Sequence, residues 1–180
     1  LETRLDAATL GRALDAKLPG DVAVVACALA RDGFDPRREA TGKLYRYAVW
    51  NAPHPSPLRR RRAHHVALRL DVAAMREAAA SLVGRHDFAS FQAAGSRVSA
   101  TVRTLTRVEV AGDPGAEIHV ALEGDGFLRH MVRNVVGTLL EVGLGRRGPG
   151  SMSSLLAARD RSQAGPTAPA CGLTLVRVDY

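Results

Sequence analysis

Apolar and polar positions change period several times along the 180 residues, and each change predicts an element. Residues 5–16 carry Leu5, Leu10 and Leu14 at helical spacing and stop at the turn Leu18-Pro19-Gly20-Asp21. Residues 22–30, VAVVACALA, are an unbroken apolar run that predicts a buried strand. A polar connection leads to KLYRYAVW at 43–50, where aromatic, basic and apolar side chains alternate as on a strand. The three prolines of 51–62 exclude regular structure there, and residues 63–70 predict another strand. Asp71 is the N-cap of a helix that puts Val72, Met75, Ala79 and Leu82 on one face, with Gly84 as its stop. Residues 104–124 read as an antiparallel pair across Gly112-Asp113-Pro114-Gly115. Residues 126–143 predict a second strong helix, 151–160 a third with Ser151 as its cap, and 172–180 a closing strand. Helices and strands mix without strict βαβ order. The predicted class is therefore α+β, a mixed, largely antiparallel sheet flanked by helices.

Composition adds little to that outline and charge adds more. Hydrophobic residues make up 46%, which suits one globular domain or two small lobes. No apolar run approaches the roughly 18 residues that span a membrane, and the first residues lack the apolar stretch of a signal peptide. Cys27 and Cys171 are far apart in sequence and read as reduced thiols, so the expected compartment is the cytoplasm. The net charge of +7 favours nucleic acid, acidic lipid or an acidic partner. Aromatic residues are only 4%, so each one is more informative than usual.

Four stretches could carry chemistry. In GFLRHMVRN, residues 126–134, Arg129 and Arg133 are four apart and would share a face of the predicted helix. A guanidinium near a core needs a carboxylate, phosphate or carbonyl. Two readings stand: both arginines reach solvent, or one is held beside a buried acid or an RNA phosphate. RRRRAHH at 59–65 is either a solvated loop or a phosphate-contacting patch. GRHDF at 84–88 invites an acid–base pair from His86 and Asp87, although a helix stop and turn is the default. Tyr45 and Tyr47 share a strand face, which suits stacked bases and core packing equally. A phosphate-cradling glycine loop, a nucleophile elbow and a metal-spaced cluster are all missing from the sequence. Taken residue by residue, the chain reads as a basic, cytosolic α+β protein expected to bind RNA.

Several stretches in fixed order go further: LPGDVAV, Phe34-x-x-Arg37, Ala40-Thr41-x-x-x-Tyr45-Arg46-Tyr47, GRHDFASF, GFLRHMVRNVVGTLLEVG and GL-x-L-x-x-VDY. Together they resemble the tRNA pseudouridine synthase A family over essentially the whole chain, FLRHMVRN-x-VG being the most specific piece. The resemblance implies isomerisation of uridine to pseudouridine in the anticodon stem and loop of tRNA, without cofactor or metal. It also implies a homodimer acting on the tRNA anticodon arm in the cytoplasm, with no membrane partner. Family members use one aspartate in a Gly-Arg-Thr-Asp motif. That motif does not occur in the 180 residues, and Gly84-Arg85-His86-Asp87 belongs to the HDFASF segment instead. The motif is thus expected upstream of Leu1, with residues 1–180 forming the C-terminal part of the catalytic domain, inactive alone and lacking an N-terminal lobe.

By the same resemblance Tyr45 stacks on the target uracil, Arg133 ion-pairs with the catalytic aspartate, and Leu173 packs near the base. Arg37, Lys43, Arg59, Arg60 and Arg129 become candidates for RNA contact, Arg129 equally a structural residue. Asp35-Pro36 and Leu44 depart from the usual family residues at those positions, which touches only local RNA contacts. The alternatives are a non-catalytic tRNA-binding module and a purely structural subunit.

Overall fold

A computed structural model describes residues 3–96, 98 and 100–180. Two compact units divide it, residues 1–39 and residues 40–180.

In the first unit, α1 spans Ala7–Asp15. Asp6 caps it, its carboxylate accepting from the Thr9 amide at 2.9 Å and the Thr9 hydroxyl at 2.7 Å. Residues 22–30 are not the buried strand their apolar run predicts. They pair with no strand among the described residues, and Val25 and Leu29 are 97% and 93% exposed. The physical reason is local: the described residues of this unit hold no strand, so the segment has no ladder to join. A bond from the Val24 amide to Asp15 (2.7 Å) ties it to the end of α1.

The second unit is a six-stranded sheet backed by helices, the α+β architecture read from the sequence. Its strands are β1 (Gly42–Asn51), β2 (His64–Val66), β3 (Gly84–Asp87), β4 (Val102–Ala111), β5 (Glu117–Gly124) and β6 (Leu173–Asp179). The order is β2-β1-β5-β4-β3, with β6 also paired to β1. Among the described residues only the β1–β2 pairing is parallel. In β5, Ile118, Val120 and Leu122 point to the core and Glu117, His119 and Glu123 to the opposite face, the period of two that one wet face imposes. Two helices cover the core face: α2 (Val72–Ala80) and α3 (Met131–Gly143). A shorter helix, α4, spans Ser151–Ala158.

Asn51 explains why the strand expected over 63–70 stops at Val66. It is 1% exposed. Its amide donates to the carbonyls of Val66 (2.9 Å) and Leu68 (2.7 Å) and accepts from the Leu70 amide (3.1 Å). Those backbone groups are satisfied by a side chain and need no ladder. α2 follows with Asp71 as its cap, as read, and buries Val72, Met75 and Ala79.

Three other expectations are corrected. GRHD is a strand rather than a helix stop: after a turn at 81–83, Gly84 adopts φ +113° and leads the chain into an edge strand against β4. Its His86 and Asp87 bond locally to the Val83 carbonyl and the Ala89 amide, and Asp87 pairs with Arg159 at 3.2 Å. Ser151 does not cap α4. Gly150 holds that position, and the Ser151 hydroxyl is buried without a partner among the described residues. Finally, α3 begins at Met131 and not at Gly126, because His130 sits at φ +60°, outside helical space. Arg129 therefore lies on the preceding loop and shares no helix face with Arg133.

Tyr47 is fully buried and its hydroxyl donates to the Pro169 carbonyl at 2.6 Å. Burial pushes the phenol pKa far up, so it remains a neutral donor. Tyr47→Phe is expected to lower stability by about 1 kcal/mol, read as a shift of the urea midpoint at unchanged slope. An unshifted midpoint would show that this bond contributes nothing.

Candidate active-site cleft

The open end of the core, between β1, β6 and the start of α3, forms a cleft of about 350 Å³. Tyr45, Phe127, Arg129, His130, Arg133 and Leu173 line it. Strand alternation brings Tyr45 there: it shares the face of Tyr47, two residues nearer the start of β1. Tyr47 has become core, so the two rings do not make a stacking surface. Tyr45 instead meets Phe127 edge to face, ring centres 5.0 Å apart at 77°. Leu173, opposite Tyr47 across the β1–β6 ladder, completes an apolar wall.

Arg133 occupies the first turn of α3 and is half-buried. Its Nε donates to the Ala168 carbonyl at 2.6 Å, and the Ala168 amide donates back to the Arg133 carbonyl at 3.1 Å. Among the described residues no carboxylate pairs with Arg133 or Arg129. Burial, then the charges of Arg133 and Arg129, hold the His130 imidazole below its usual pKa. It is thus biased toward the neutral form, and the cleft's positive charge comes from the two guanidiniums. A flat apolar slot beside a fixed, unpaired guanidinium suits a planar ring and an anion together.

Four of the residues picked from the sequence meet here: Tyr45, Arg129, Arg133 and Leu173. The others do not. Arg37 is exposed in the first unit. Lys43 lies on β1 between Gly124 and Val178. Arg59 is used internally, paired with Glu117 at 2.7 Å and stacked 4.4 Å from the Trp50 ring centre. It lines a separate groove of about 700 Å³ with Arg46, Arg61 and Arg62, while Arg60 is exposed. Sequence reasoning missed Asn134, Arg161 and Thr167, whose bonds run behind Arg133. The dipeptide Arg133-Asn134 was the available signal, since a polar amide inside an apolar helix demands partners. Among the described residues no three metal-binding side chains gather, and no helix is long and apolar enough to cross a membrane.

A family model described as tRNA pseudouridine synthase matches residues 78–180. The chain is 48% identical over 167 residues to the tRNA pseudouridine synthase A of Myxococcus xanthus, covering 93% of this chain and 63% of that protein. It is 44% identical over 168 residues to the Bacillus subtilis protein of the same name, covering 93% and 68%. Against the Acidiphilium cryptum protein of that name it is 46% identical, covering 100% and 71%. The chain thus spans about two thirds of the length of these relatives.

Proposed function

Because the chain belongs to the tRNA pseudouridine synthase family, we propose that it supplies the base-holding face of an enzyme that isomerises uridine to pseudouridine in the anticodon stem and loop of tRNA. The observation that carries the reading is the meeting of Tyr45, Leu173 and Arg133 in one cleft. The nucleophilic aspartate comes from a segment outside these 180 residues and pairs with Arg133, whose terminal nitrogens are otherwise without a carboxylate. A guanidinium there keeps the aspartate ionised and aimed. Tyr45 and Leu173 hold the uracil once it has been flipped from the RNA arm. In the reaction the bond from N1 to the sugar breaks and one from C5 forms. The proton lost from C5 is balanced by one gained at N1. Arg129, at the mouth of the cleft, contacts phosphate. The same reading has the enzyme working as a homodimer in the cytoplasm.

The test uses a tRNA transcript tritiated at carbon 5 of uridine. The full-length protein is expected to release tritium, and the 180-residue chain alone to release none. Release by the chain alone would overturn the assignment of the aspartate to an outside segment. Binding without release by the full-length protein would favour a non-catalytic tRNA-binding module.

A further inference from the structure

Behind Arg133 lies a buried polar network that the proposed chemistry does not use directly. Asn134 is 0% exposed and spends all four of its hydrogen-bonding positions. Its nitrogen donates to the carbonyls of Phe91 (2.8 Å) and Gln92 (3.3 Å). Its oxygen accepts from the Thr167 hydroxyl (2.6 Å) and from Arg161 Nη2 (3.2 Å). The amide cannot be turned over, because carbonyls only accept and a guanidinium only donates. Arg161 also donates to the carbonyls of Ala164 (3.3 Å) and Gly165 (3.0 Å) and to the Thr167 hydroxyl (3.2 Å). From the other side, Thr138 accepts from the Gly165 amide at 3.0 Å. Residues 164–168 are thereby strapped along α3, and the next residue of the strap after Thr167 is Ala168, whose carbonyl holds Arg133 Nε.

We infer that Arg161 and Thr167, acting through Asn134 and this strap, are positioning residues for Arg133. A guanidinium is planar, so fixing Nε against one carbonyl fixes the plane in which the two terminal nitrogens meet an anion. Where that carbonyl stands depends on Thr167, the residue before it, which Asn134 and Arg161 grip together. A network centred on a buried amide with all four of its positions satisfied resists displacement, which is what an oriented charge requires.

The kinetic part of the test rests on the function proposed above; the spectroscopic part does not. In the full-length protein, hydrogen exchange of the Arg133 Nε–H is followed by NMR, the signal assigned by its loss in Arg133→Lys. Thr167→Val keeps the shape of the side chain but removes the hydroxyl. It removes two hydrogen bonds, the one to Asn134 and the one from Arg161, and is expected to speed that exchange at least about fivefold, the worth of one of them. It should lower kcat on the order of tenfold while KM for tRNA stays within about twofold. It should also move the acidic limb of the kcat profile to higher pH, because a misplaced guanidinium no longer holds the partner carboxylate's pKa down. Thr167→Ser, which keeps the hydroxyl, restores all of these. Unchanged exchange in Thr167→Val overturns the inference, as does a lower kcat with the acidic limb unmoved, the signature of a merely structural role. If Thr167→Val does not fold, Arg161→Lys decides by the same readouts, since an ammonium cannot reach four acceptors. A wild-type protein that releases no tritium counts against the proposed function and leaves the exchange result to decide the inference.

Discussion

Gly137→Ala is expected to destabilise the protein by about 3 kcal/mol, although alanine is the better helix former. In an exposed helix the exchange would be worth about 1 kcal/mol in the opposite direction. Gly137 lies in the middle of α3, and residues 164–168 run directly over it. A Cβ there would stand 1.7 Å from the Pro166 carbonyl oxygen and 3.2 Å from the Ala168 nitrogen. Both are backbone atoms and have no rotamer to escape into, so the strap must lift. Lifting it breaks the bonds of Gly165 to Thr138, of Thr167 to Asn134, and both links between Ala168 and Arg133. At about 1 kcal/mol each these outweigh the gain in propensity. The measurement is the urea midpoint, with the slope checked for two-state behaviour. A neutral or stabilised variant would mean that the strap does not approach the helix so closely.

How much of this was legible depended on whether the deciding force was local. The strand β1, the capped start of α2, the β4–β5 hairpin and β6 carry their own periodicity or turn chemistry, and the structure follows them. Residues 22–30 have a strand's composition, but a strand is a relation to a partner, and apolar content does not report whether one is in reach. The start of α3 was misjudged because Phe127 and Leu128 continue the apolar pattern, while the backbone at His130 does not continue the helix. That error mattered for the site: Arg129 and Arg133 were placed on one face, and they are delivered to the cleft by a loop and a helix. Residue physics alone left Tyr45 undecided between base stacking and core. The structure divides the pair, Tyr47 to the core and Tyr45 to the cleft. Tyr45, Arg133 and Leu173 were picked out by resemblance to a family, whereas Arg161 and Thr167 had no sequence signal because their importance lies in bonds between distant segments.

Under the proposed function, Arg133→Lys in the full-length protein is expected to lower kcat on the order of a hundredfold with little change in KM for tRNA. Lysine keeps the charge, so simple attraction of the polyanion survives. It loses two things that geometry makes specific to arginine. The Nε–H that bonds the Ala168 carbonyl at 2.6 Å disappears, and with it the fixed plane of the group. The forked pair of terminal nitrogens, which can grip both oxygens of one carboxylate, is replaced by a single mobile ammonium. In the proposed reaction the ground-state complex would rest on many phosphate contacts, so one charge retained there leaves binding nearly intact. The proposed transition state would depend on one carboxylate held ionised and aligned, and there the loss would be felt in full. Arg129→Ala provides the contrast, because Arg129 sits on the loop with its charge exposed. It should raise KM several-fold, more at low salt than at high, and leave kcat within about threefold. Single-turnover kinetics of both variants on the same tRNA would separate the two roles. If Arg133→Lys kept its full kcat, the cleft would need only a positive charge at that place, and the ordered guanidinium would have no catalytic part.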